Sequence, residues 1–202
     1  MLTSLPQLMT KLDSFQTAAP RVPCVPAPPG GTLGAITRYL AQDHRQLDAL
    51  LTRAISAEPF DRAAFAEFRA GLLRHMGSEE KIFFAEARRL RPELRERTMV
   101  LRVQHGALTS LLVPTPDRAL AEEIRSLLET HNLLEEQPDG VYAACEALLD
   151  EESAARLLDR IVAYPQVPLA AHFDGPGVHR TVASALAGSA RQRAAPVEPV
   201  KT

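Results

Sequence analysis

Four of the six histidines, His44, His75, His105 and His131, each stand midway along a stripe of apolar residues at helical spacing. Two of them are followed four residues later by a glutamate, in His75-Met76-Gly77-Ser78-Glu79 and His131-Asn132-Leu133-Leu134-Glu135. Four residues is just over one helical turn, so imidazole and carboxylate leave the same face of each helix. Burying both is costly unless something neutralises them, and an apolar core has no use for isolated carboxylates. A pair of divalent or trivalent metal ions answers the need. Nitrogen and oxygen donors without thiolate suit iron, manganese or zinc. If both carboxylates bridge, they and the imidazoles supply roughly eight metal-ligand bonds, against about twelve for two octahedral ions. An oxygen bridge takes two more. That leaves roughly one open position on each metal, the condition for chemistry rather than structure alone. Zinc prefers closed tetrahedral sites, so two iron ions are the expected cofactor, with manganese and zinc less favoured. Glu80 and Glu136 lie about 140° around the helix from their histidines and are expected to be solvated or to support the ligands from outside.

Positioning these residues requires four helices. The first stripe runs Ile36, Leu40, His44, Leu47, Leu51. The second opens after Pro59 and Asp61 and runs Phe65, Phe68, Leu72, His75, Glu79, Ile82, Phe83, with Pro92 in the following turn. The third runs Val100, Leu101, His105, Leu108, Leu112 and stops at Pro114 and Pro116; the fourth runs Leu120, Ile124, Leu127, Leu128, His131, Glu135. These steps of three and four are the helical period, and no strand alternation persists, so the class is all-α. Short connections favour antiparallel neighbours, hence an up-down-up-down four-helix bundle with short helical extensions. A lone histidine followed by His-x-x-x-Glu occurs twice, which predicts two pseudo-symmetric helical hairpins facing each other.

Three regions follow. Residues 1–31 form an N-terminal segment, with Leu5, Leu8, Met9, Leu12 and Phe15 spaced as a short amphipathic helix, and then a proline-rich linker. Residues 32–150 form the bundle, in which Pro138-Asp139-Gly140 breaks the helical run before Val141, Cys145, Leu148 and Leu149 resume it. Residues 151–202 form a partly helical extension: a short helix at 151–163, irregular chain after Tyr164, an exposed helix within 178–194, and a disordered tail. His172 lies beyond the bundle in a segment able to fold back over its open end, and His179 is expected to be exposed. Tyr39, five residues before His44, is too far around the helix to support it.

At 202 residues, 46% hydrophobic and 24% charged, the chain has an ordinary globular composition. No apolar run is long enough for a membrane helix, and the first residues lack a basic head followed by an apolar stretch, so a secretory leader is not expected. The chain reads as cytoplasmic. A net charge of -2 gives no drive toward nucleic acid. The arginine run Arg88, Arg89, Arg91, Arg95, Arg97, Arg102 is interleaved with Glu86, Glu93 and Glu96 and reads as a solvated helix end and loop. Of two cysteines, Cys145 reads as a small buried hydrophobe, while Cys24 is a candidate reactive or tethering thiol in the linker.

On Asp43-His44, LLRHMGSEEKIFF, Gln104-His105 and THNLLEEQ, the chain resembles the hemerythrin-like, or HHE cation-binding, family over about residues 33–150. The resemblance implies a four-helix bundle, a carboxylate-bridged non-haem diiron centre, and binding or reduction of dioxygen, nitric oxide or peroxide. His44, His75, His105 and His131 are then terminal ligands, with Glu79 and Glu135 as bridges. Oxygen carriers of the family place a fifth histidine where this chain has Thr109, and an acidic ligand at the place of Glu136, which points away from reversible oxygen transport. The four-histidine, two-glutamate set looks closer to the repair of iron centres branch, whose usual N-terminal paired-cysteine motif is replaced here by Cys24 alone. The functions implied are ligand sensing, stress protection or iron handling; a diiron oxidase, peroxidase or nitric oxide reductase with an external electron donor; or a metal-stabilised interaction module.

Overall fold

The computed structural model describes residues 33–194; the expected N-terminal helix, the proline-rich linker with Cys24 and the final eight residues lie outside them. Among the described residues all regular structure is helical. Helix α1 spans Ala35–Ser56 and α2 spans Arg62–Ser78, which continues through a π-helical turn at Glu79–Phe83 into α3, Phe84–Leu90. A short 3-10 turn, Pro92–Leu94, leads to α4, Arg95–Leu111, and then α5 spans Arg118–Glu136. Shorter helices follow: α6 at Val141–Glu146, α7 at Glu151–Val162 and α8 at Val182–Ala194. None is long and apolar enough to cross a membrane.

Three helix starts have a local cause. Asp61 accepts hydrogen bonds from the backbone N–H of Ala63 and Ala64, Asp117 from Leu120, and Asp150 from Ser153, each satisfying donors with no partner inside the helix. Gly34 gives α1 no side-chain cap. Glu146 of α6 supplies it from far along the chain, accepting from Ile36 N at 2.8 Å and Thr37 N at 3.1 Å.

Two apolar clusters fill the interior. One contains Leu47 and Leu51 of α1, Phe65, Phe68, Leu72 and Met76 of α2, Leu108 and Leu111 of α4, and Ile124 and Leu128 of α5. The other contains Ile36 and Leu40, Phe83 and Phe84, Leu101, Tyr142 of α6, and Leu157 and Ile161 of α7. The four histidines and two glutamates fall between the two sets along every helix, so a polar layer divides the core.

The C-terminal chain departs from expectation in two respects. Helix α8 is not an exposed appendage: it packs along α4, with Ala185 and Ser189 buried. The reason is small side chains, since a Cβ on Gly106 would stand 2.2 Å from Ser189 Oγ. His179 is half-buried beside Gly188 rather than exposed. The end of α7 and the irregular chain beyond it are held by arginines of α2: Arg74 donates to the carbonyls of Val162 and Tyr164, and Arg69 to that of Ala170.

Candidate metal centre

The structure brings all six expected residues together: His44 from α1, His75 from α2, Glu79 from the π turn, His105 from α4, and His131 and Glu135 from α5. Each is at most 5% exposed. They form two groups, His44-His75 and His105-His131, that share both glutamates. Glu79 presents Oε1 at 3.5 Å from His75 Nε2 and Oε2 at 3.3 Å from His105 Nε2. Glu135 presents Oε2 at 3.4 Å from His44 Nε2 and Oε1 at 3.2 Å from His131 Nε2. Each carboxylate therefore offers one oxygen to each histidine pair.

The imidazoles all point Nε2 inward, and each Nδ1 has an outer partner. Nδ1 of His44 donates to Glu136, of His75 to Asp43 at 3.3 Å, of His105 to Glu80 at 3.1 Å and of His131 to Gln104 at 2.9 Å. Such partners fix the ring orientation and leave Nε2 with a bare lone pair, as metal ligation requires. The pattern is pseudo-twofold. The residue before each lone histidine, Asp43 or Gln104, holds the paired histidine of its own half; the residue after each inward glutamate, Glu80 or Glu136, holds the lone histidine of the other half. Glu80 and Glu136 are thus supports from outside rather than solvated groups. Sequence carried a signal for this, because both repeats place polar residues at these same two offsets.

The arginine run also differs from a wholly solvated face. Arg88 Nη1 lies 3.8 Å and Arg102 Nε 3.5 Å from Glu80 Oε2, so two of its members brace the residue that holds His105. Arg97 donates to the Asp139 carbonyl. Tyr142 of α6 was not legible as a site residue, yet its hydroxyl donates to Glu79 and lies 3.0 Å from Glu135 Oε2. His172 stays outside: it is exposed, with Nδ1 3.3 Å from the Val113 carbonyl. Thr109 is turned away, its hydroxyl donating to the His105 carbonyl at 2.8 Å.

The π turn matters to this geometry. Phe84 N donates to Glu79 O, five residues back, widening the helix by one residue where Glu79 and Glu80 both serve the site and Phe83 and Phe84 both enter the core. Adjacent residues of a regular helix point about 100° apart and share a face poorly. Single π turns occur often at functional sites.

Two observations fit these residues to metal ions. Glu79 Oε2 and Glu135 Oε1 are buried without a hydrogen-bond partner, a costly condition that a cation relieves. His105 Nε2 and His131 Nε2 face each other at 3.1 Å, two lone pairs that need a proton or a cation between them. Without a cation the cluster settles its charge with protons. Burial works against charge on His75, but Glu79 and Asp43 outweigh it and lift the ring to about 10. His105 is likewise lifted against burial, by Glu79 and Glu80, to about 9. Burial, reinforced by the neighbouring His105 charge, holds His131 well below its ordinary value. Burial also lowers His44, despite Glu136. Burial would raise Glu79, but the charges of His75 and His105 pull it well down, whereas burial and the Glu79 charge push Glu135 well up.

A pH dependence follows. Because the folded pKa values of His75 and His105 lie above the usual 6.5, their protons stabilise the metal-free fold fully below pH 6.5. That contribution is lost as pH rises through about 9 to 10. Ligated imidazoles have already released those protons. The melting-temperature gap between metal-loaded and metal-free protein is therefore expected to widen from pH 6.5 to 10, measured by paired thermal melts. A constant gap would contradict ligation by these two rings.

A helical bundle with a buried, doubly shared imidazole-carboxylate cluster defines a candidate metal-binding protein of the four-helix type. The family model for the hemerythrin HHE cation binding domain matches residues 35–145, more than half of the chain, and the protein belongs to that family. No curated protein and no solved structure matches the chain.

Proposed function

We propose that the protein is a non-haem diiron protein that binds a small ligand, dioxygen, nitric oxide or peroxide, in sensing, stress protection or iron handling. His44 and His75 hold one iron, His105 and His131 the other, and Glu79 and Glu135 bridge them. One observation carries this reading: both carboxylates direct one oxygen to each histidine pair, which a mononuclear site does not need. When bound, the irons supply the redox and Lewis-acid chemistry. The protein's own groups orient the four imidazoles, exclude bulk water and restrict access. With the six residues so fully buried, only a small molecule can reach them.

A cavity of about 230 Å³ between α1 and α5 touches the site at His44 and is lined also by Leu47, Leu51, Leu128, Arg125 and Asn132. It supports passage of small polar molecules, because the Arg125 Nε and Asn132 Oδ1 atoms are buried there without protein partners. An up-down-up-down course for α1, α2, α4 and α5 is supported by the order in which successive helices contribute to the two apolar clusters, one cluster first in α1 and α4, the other first in α2 and α5. We assign residues 32–150 to the diiron domain and 151–202 to an extension whose described part packs upon it. A cytoplasmic setting is part of this proposal, and there the buried Cys145 stays a thiol.

The test is metal analysis of protein made in iron-replete medium, expected to give two irons per chain. A reproducible ratio of one, or zinc alone, would overturn the diiron assignment. Adding nitric oxide, peroxide and an electron donor to the iron-loaded protein then separates ligand binding from turnover; steady consumption of either substrate would make it an enzyme.

A further inference from the structure

The two halves of the cluster are alike in histidines and carboxylates but not in what faces them. On the His105-His131 side the inward carboxylate oxygens, Glu79 Oε2 and Glu135 Oε1, have no hydrogen-bond partner. On the His44-His75 side, Tyr142 is fully buried with its hydroxyl among the donors. That oxygen lies 3.3 Å from His44 Nε2, 3.5 Å from His75 Nε2 and 3.0 Å from Glu135 Oε2, and makes a close hydrogen bond to Glu79 Oε1.

A single phenol proton cannot serve four acceptors. In the neutral form that ligation requires, with Asp43 and Glu136 taking the Nδ1 protons, both Nε2 atoms present lone pairs, and the two carboxylate oxygens present theirs. At most one of the four is satisfied at a time. The spacing also says which role the oxygen plays. Were it standing at the ion's own position, it would lie about 2.1 Å from every donor. Adjacent corners of an octahedron with such bonds are about 3.0 Å apart, close to the separations from His44, His75 and Glu135.

The aim of the ring is built into the fold. His44 stacks on it at a centroid distance of 5.9 Å, Phe83 and Phe84 contact it at 5.8 and 6.3 Å, and one turn later Glu146 fastens α6 to the first turn of α1. No hydroxyl comes within hydrogen-bonding distance of the other half's inward atoms among the described residues.

From this geometry we propose that Tyr142 is a seventh protein ligand, its phenolate oxygen bound to the metal held by His44 and His75, so that the position open to an exogenous ligand lies on the metal held by His105 and His131. The proposal rests on the diiron reading. As the oxygen-metal bond forms, the phenol O–H bond breaks and its proton leaves to solvent, with no change of oxidation state. The two metals are then chemically different although their histidine sets match.

Resonance Raman and visible absorption of the full-length ferric protein test this, with iron content measured on the same samples. The wild type is expected to hold two irons and to show the charge-transfer band and ring modes of an iron-bound phenolate. Tyr142→Phe is expected to keep two irons and lose both signals. Tyr39 and Tyr164 make no hydrogen bond to any of the six residues, so phenolate modes in the wild type point to Tyr142 even where the variant folds poorly. Nitric oxide uptake by the diferrous protein should double, from one per two irons in the wild type to two in Tyr142→Phe. Two irons without phenolate modes, or equal nitric oxide uptake, would overturn the proposal and leave the diiron reading intact. Fewer than two irons in the wild type would overturn both.

Discussion

Replacing Glu79 by Ala is expected to empty both metal positions at once and to destabilise the fold by about 3–5 kcal/mol, the usual loss when one partner of a buried ionic group is removed. The side chain is completely buried, and its two oxygens are directed to His75 and His105, the two rings whose protonated forms it favours. Its removal therefore leaves two buried imidazoles without their main counter-charge, and it takes one donor from each metal. Metal analysis and urea unfolding read the two effects separately. His172→Ala, at an exposed position distant from the cluster, should change neither. Full iron content in Glu79→Ala would contradict the bridging role.

The second large effect concerns oxygen. Thr109 stands where a carrier would place another histidine, and its hydroxyl is committed to the backbone of its own helix. Bound oxygen is thus expected to oxidise the reduced protein rather than to leave intact. Exposure to air should convert the diferrous protein fully to a stable diferric form, and argon alone should not reverse it; stopped-flow absorbance and an oxygen electrode follow both steps. Recovery of the diferrous form on simple deoxygenation would mark a carrier.

The inward side chains were legible in sequence because the helical period leaves few alternatives: a histidine between Leu40 and Leu47, or between Leu101 and Leu108, faces the core or breaks it. The surrounding supports were harder to read. Whether Asp43 and Gln104 reach a histidine depends on the neighbouring helix and not on their own. Tyr142 was hidden for a longer-range reason. It lies on a six-residue helix after a Pro-Asp-Gly break, and the direction of that helix is set by Glu146 docking on α1, over a hundred residues earlier. The docking of α8 leaves little trace in the sequence because its contact face is made of Ala185, Ser189 and Gly106, small residues with little hydrophobic contrast. The π turn was masked by its own sequence, since Glu79, Ile82 and Phe83 fit a regular helical stripe.

That turn sets where the chain can vary in length. It holds one residue more than the regular helix it interrupts, so removing one residue between Glu79 and Phe83 would let ordinary hydrogen bonding close with both flanks still facing as they do. Removing one from a regular stretch of α2 would instead rotate everything beyond it by about 100°. A descendant one residue shorter at the turn could keep both the inward histidines and the aromatic wall behind Tyr142, with four residues where this chain uses five.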